Sequence, residues 1–111
     1  MQIRKNKKRK SLNEFRYNYN TRHTQYVFEE DDKRYRSLGL THHKRTKGIK
    51  NMPLSKNPQK GKTEKAYIRY GIINDTKNNY SGIDKRFKFS KEDFVRAKSK
   101  IRKYKSRRRY K

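Results

Sequence analysis

The sequence predicts an α+β fold: a small antiparallel β-sheet, built from a hairpin and one or two further strands, with a basic amphipathic helix at the C-terminal end and a flexible basic arm at the N-terminal end. Three observations carry this expectation. Two extended segments, 24–29 and 34–41, flank an acidic run that suits a turn. A third segment, 65–73, alternates its apolar positions with period two. From Ser90 onward, a capped pattern with three- and four-residue spacing replaces that alternation.

Residues 1–22 are rich in Asn, Lys, Arg and Tyr and show little periodicity, so they are expected to form a basic flexible arm. Thr24-Gln25-Tyr26-Val27-Phe28 is β-branched and aromatic, which favours a strand. Glu29-Glu30-Asp31-Asp32 follows as the turn, and 34–41 completes the hairpin. Residues 42–63 contain Gly48, Pro53, Pro58 and Gly61, and those breakers predict a loop with disordered stretches. Segment 65–73 is the clearest strand, and residues 74–82, rich in Asn and Asp, read as a turn or loop. Ser90 is the expected N-cap of a helix over about 91–106, with Asp93 completing a capping box and Phe89 and Phe94 at the staple positions. Phe94, Ala97, Ile101 and Tyr104 make its apolar stripe. The organisation is therefore an arm (1–22), one small α+β domain (23–106, with the loop 42–63) and a basic tail (107–111).

Charge dominates the chemistry. Of 111 residues, 35 are Lys or Arg and 10 are Asp or Glu, a formal net charge of +25. Ile, Leu, Val and Phe number only 18, a balance that warns of disorder and concentrates folding in the middle of the chain. The first ten residues and the last sixteen contain no acid, so every counter-charge lies between Glu14 and Asp93. Such self-repulsion calls for an anionic partner, and nucleic acid is the first candidate. No apolar run is long enough to span a membrane, so no insertion is expected. No apolar stretch follows the basic start, which with the absence of cysteine points to the cytoplasm. Cysteine-based zinc sites and thiol nucleophiles are excluded, no phosphate-loop spacing is present, and no metal or other cofactor is expected.

Expected phosphate contacts come from Lys7, Lys8, Arg9 and Lys10 in the arm and from His43, Lys44, Arg45 and Lys47 in the loop. The helix adds Arg96, Lys98, Lys100, Arg102, Lys103 and Lys105, and the tail adds Arg107, Arg108 and Arg109. Basic and aromatic residues interleave at Tyr67-Ile68-Arg69-Tyr70; Arg69 is a phosphate candidate, and Tyr17, Tyr19 and Tyr67 are the candidates for stacking on unpaired bases. Phe87, Phe89, Phe94 and Tyr70 are assigned to the core, because a chain so poor in aliphatics builds its interior from aromatics. A hairpin also brings His23, just before its first strand, near His42 at the end of its second. Two histidines among cations suit metal-independent RNA cleavage, in which one takes the 2′-hydroxyl proton and another protonates the leaving oxygen.

The stretch Tyr35-Arg36-Ser37-Leu38-Gly39-Leu40-Thr41-His42, with Asn51-Met52-Pro53-Leu54-Ser55-Lys56-Asn57-Pro58 downstream, resembles small basic proteins of phages and mobile elements. Their order of leading His, hairpin, Thr-His, Asn-Pro loop, strand and helix is similar to that of the barnase–EndoU–colicin–RelE group of RNase-fold proteins. The resemblance spans about residues 23–104. It implies RNA or tRNA as target and His23, Thr41 and His42 as site positions; the paired His42-His43 and the very basic ends depart from the pattern.

The leading expectation is a nucleic-acid-binding protein, with RNA favoured over DNA because no helix-turn-helix, zinc-finger or basic-zipper pattern is present. A binding protein is favoured over an enzyme. The alternatives are a metal-independent ribonuclease or toxin using His23 and His42, and a mobile-element factor, ribosomal-protein-like or binding a host protein or ribonucleoprotein complex.

Overall fold

A computed structural model describes residues 9–109, with side chains to residue 106. It is α+β, as the sequence predicts. The elements are β1 (Lys10–Asn18), β2 (His23–Glu30), β3 (Arg34–Thr41), β4 (Arg45–Thr46), β5 (Ile49–Lys50), β6 (Met52–Pro53), β7 (Tyr67–Ile68), β8 (Ile73–Thr76), a 3-10 turn (Lys77–Asn79), β9 (Tyr80–Ile83) and α1 (Lys91–Arg109). The main sheet is antiparallel in the order β6-β7-β3-β2-β1-β9, and β8 also pairs with β3.

The expected hairpin is β2–β3, with Tyr26 opposite Leu38 and Gln25 opposite Gly39. Its turn is held by Asp31, whose carboxylate accepts hydrogen bonds from the backbone N–H groups of Lys33 and Arg34 at 3.1 and 3.0 Å. Those two donors lower the Asp31 pKa below its ordinary value. Glu29 and Glu30 of the acidic run are counter-charge. Glu29 meets Arg36, Arg9 and Lys105, and Glu30 meets Lys77 at 2.8 Å.

Three expectations are corrected. The arm over 1–22 is not wholly flexible, because Lys10–Asn18 form β1, a nine-residue strand between β2 and β9. Its ladder runs from Lys10 opposite Glu30 to Asn18 opposite His23, and such long-range pairing leaves little mark on local periodicity. Residues 74–82 are not a simple turn: β8 and β9 lie there, and Tyr80 and Ile83 pair with β1. The single strand expected over 65–73 is two short ones. Tyr67–Ile68 pair with one end of β3, the chain turns at Gly71 with a left-handed φ of 84°, and Ile73–Thr76 pair with the other end.

One face of the sheet carries the core. Phe15, Tyr26, Phe28, Leu38, Leu40 and Ile68 pack there with Phe89 and with Ala97, Ile101 and Tyr104 of α1. Phe15, Tyr26 and Phe89 form a ring cluster with centroids 4.7–5.3 Å apart, so aromatic area replaces the missing aliphatics. Burial pushes the Tyr26 phenol up to about 12. The other face holds a smaller cluster of Val27, Tyr35 and Tyr80, beside a polar network in which Ser37 donates to Gln25 and also bonds the Tyr80 hydroxyl.

α1 starts at the expected Ser90 cap, with Ser90 Oγ accepting the Asp93 N–H at 3.1 Å, but the Asp93 side chain, expected to complete a capping box, is turned away from the Ser90 N–H. Asp93 itself is fully buried. Its carboxylate accepts the backbone N–H groups of Ser55 and Lys56, which ties the 54–66 segment to the start of the helix.

Candidate nucleic-acid interface

The β2–β3 pairing sets His23, Thr41 and His42 at one end of the sheet. They line a cleft of about 210 Å³ together with His43, Asn57, Gln59 and Phe87. The geometric expectation from the hairpin is met: the two histidines share one recess. His42 is exposed, and its Nδ1 lies 3.2 Å from the carbonyl oxygen of Lys65. A carbonyl only accepts, so in this contact Nδ1 carries the proton and donates. Thr41 is buried, and its hydroxyl accepts the His43 N–H at 3.1 Å. That contact makes Thr41 a brace for the loop that carries the histidines.

The loop expected over 42–63 is largely organised. β4 and β5 form a two-strand ribbon, Arg45 opposite Lys50 and Thr46 opposite Ile49. Its tip is Lys47-Gly48, both at positive φ (51° and 80°), the conformation that two-residue hairpin loops favour. Buried Asn51 holds the base of the ribbon: its amide donates to the His43 carbonyl and to Thr46 Oγ1, and its side-chain oxygen accepts the Tyr70 N–H. The ribbon therefore displays Lys44, Arg45, Lys47 and Lys50 in solvent on a defined support.

Other expected contact residues divide by location. Tyr67 is corrected: at 9% exposure on β7, opposite Thr41 and Pro53, its ring is not available for stacking on a base. Tyr19, by contrast, is 57% exposed beside Tyr17, at a ring spacing of 5.5 Å. Arg69 is half-buried and lies along Gly39, with its guanidinium 6.0 Å from the Tyr70 ring, so much of its surface is packing. On α1, Lys98 lies over Phe94, Lys100 over Tyr104, and Arg96 sits 3.8 Å from Asp93. Arg102 and Lys103 are exposed. Lys105 is committed to Glu29, which docks the helix onto the sheet. Arg9 is exposed near the same carboxylate, and Lys10 is exposed at the start of β1. Lys7 and Lys8 lie outside the described residues. Arg107, Arg108 and Arg109 fall on the last turn of α1, beyond the described side chains.

The sequence did not single out an open trough of about 800 Å³ beside the histidine cleft. One wall comes from residues 54–66 and the other from residues 85–90, joined where the Lys60 N–H donates to the Arg86 carbonyl and the Lys88 N–H to that of Pro58. Lys56, Lys60, Lys62, Lys65, Lys85 and Lys88 line it, all exposed and none in an ion pair among the described residues. Arg86 is held by Asp84 at 2.7 Å, which lowers the carboxyl pKa, and Glu64 is the acid on the lining. A signal for half of this site was present: the acid-free stretch from His42 to Thr63. The second wall joins it only through the fold. Among the described residues no group of His, Asp and Glu is placed to hold a metal ion, and no helix is long and apolar enough to cross a membrane. Compared with known families, curated proteins and solved structures, the chain matches none.

Proposed function

We propose that this protein binds nucleic acid, RNA in preference to DNA, through phosphate contacts from its unpaired cations. The observation that carries the reading is charge segregation. The acids are largely spent inside the fold: Glu14 on Arg16, Glu29 on Arg36 and Lys105, Glu30 on Lys77, Asp84 on Arg86. The cations of the ribbon, the trough and the outer helix face are left for an external polyanion. A merely hydrated surface would interleave both signs. RNA is favoured because exposed aromatic rings such as Tyr19 suit unpaired bases. The reading is tested by fluorescence anisotropy on RNA across a salt series. Affinity falls linearly on a log–log plot, by about 0.7 of slope for each phosphate neutralised on a single strand. Binding that is weak at low salt and flat across the series overturns it.

The histidine cleft favours a second reading, metal-independent RNA cleavage. The neutral Nε2 of one histidine removes the 2′-hydroxyl proton, the 2′-oxygen attacks phosphorus, and the other histidine, protonated, gives its proton to the departing 5′-oxygen. A 2′,3′-cyclic phosphate and a free 5′-hydroxyl result. Nearby lysines offset the charge on the phosphorane. Product that forms in EDTA and disappears in both His23→Ala and His42→Ala supports cleavage; intact RNA with wild-type protein in excess leaves binding alone.

A further inference from the structure

We infer that the trough between residues 54–66 and 85–90 is a track for a single nucleic-acid strand and feeds one nucleotide at a time into the histidine cleft. The inference rests on the nucleic-acid reading above and names its substrate class: an unpaired strand, not a duplex. Four features support it. The trough is concave and basic, with lysines from two walls that are distant in sequence. Those walls meet through the backbone hydrogen bonds of Lys60 to Arg86 and Lys88 to Pro58, 2.7 and 2.9 Å, and through the bridge between Gln59 and Phe87. A concave basic groove suits one unpaired strand, whose sugar edges and base faces are free to lie along it, more than a duplex, whose bases are paired and stacked inward. The floor of the trough is partly apolar, with Leu54, Ala66 and Phe89 buried, which suits sugar edges and base faces more than bulk water.

The fourth feature is continuity. Asn57, Pro58, Gln59 and Ala66 line both the trough and the cleft, so a strand lying on the lysines leads directly to His23, His42 and Phe87. The cleft's volume of about 210 Å³ suits one nucleotide rather than a run of them. The Asn57 amide is already committed to the Glu64 carbonyl at 2.9 Å, which holds the junction in shape. Glu64 sets a limit on the track: its carboxylate repels phosphate, so the backbone is expected to run along the lysines on either side of it.

The test uses the full chain with two labelled RNAs: an oligouridine of about 12 nucleotides and a blunt duplex of about 20 base pairs. The single strand binds at least about tenfold tighter than the duplex. Lys60→Ala/Lys88→Ala removes one cation from each wall, weakens single-strand binding at least about fivefold and lowers the salt slope by about 1.4. Lys33→Ala/Arg34→Ala, at the far end of the β2–β3 hairpin, makes the same charge change and shifts affinity by less than about twofold. Both pairs are exposed, so unchanged thermal midpoints confirm intact folds. Equal affinity for duplex and single strand overturns the inference and leaves nucleic-acid binding standing. So does an equal loss from the two double variants. No binding to either RNA at low salt overturns the nucleic-acid reading, and the track with it.

Discussion

The carboxylate of Asp93 joins two distant parts of the molecule, the start of α1 and the 54–66 segment. It has no solvent exposure, sits in the first turn of α1, and accepts the N–H groups of Ser55 and Lys56 at 2.9–3.1 Å. Its own N–H is capped by Ser90. The capping-box position is legible in the sequence; the distant backbone donors are not, because nothing local shows where residues 55 and 56 will lie. Asp93→Ala leaves two part-buried backbone donors without their acceptor and is expected to lower unfolding free energy by roughly 1–3 kcal/mol in a urea titration. The same variant frees the start of the trough wall and weakens RNA binding.

At the scale of elements, α1 is tethered by a narrow stripe. Ala97, Ile101 and Tyr104 are buried, while Val95 is 62% exposed and the remaining faces are largely basic. Repulsion among those cations opposes helix formation, so docking supplies most of the stability. Glu29 adds a buried carboxylate that receives Lys105 and Arg36. Ile101→Ala is therefore expected to cost about 2–4 kcal/mol, measured as a shift in denaturation midpoint, with loss of protection in α1 exceeding that in β2 and β3 by hydrogen exchange. Uniform loss of protection would mean that the helix and sheet unfold as one unit. The ribbon β4–β5 is the opposite kind of element. It buries almost nothing of its own and depends on a two-residue tip and on Asn51, which suits a segment whose cations are turned outward.

Across the whole molecule, a formal charge of +25 leaves most cations without an acid to pair with. Self-repulsion of that size destabilises the compact state, and salt screens it with a Debye length near 10 Å at about 0.1 M. The thermal midpoint is therefore expected to rise between about 0.05 and 0.5 M NaCl, and to rise further at low salt when RNA is added. A midpoint that falls with salt would show that the internal ion pairs outweigh the repulsion.

By itself the sequence determined the elements whose signals are local. The β2–β3 hairpin and the helix could be read from β-branched and aromatic runs, an acidic turn, a Ser cap and an apolar stripe. The meeting of His23 with His42 followed from the hairpin alone. What only the tertiary structure decided depends on pairing between distant segments. β1 and β9 carry too few hydrophobes to show a period, and they exist as strands because their backbones complete a ladder. Tyr67 reads as a surface ring in the sequence, whereas in the fold it is buried on β7, between β6 and β3. The trough is the fullest case. Its lysines lie in two segments separated by a strand-rich stretch, and each run taken alone looks like an ordinary solvated charge cluster. Backbone hydrogen bonds between those segments set the cations around one groove, where Glu64 is the acid on the lining, while Glu29 and Glu30 are held on cations elsewhere in the fold.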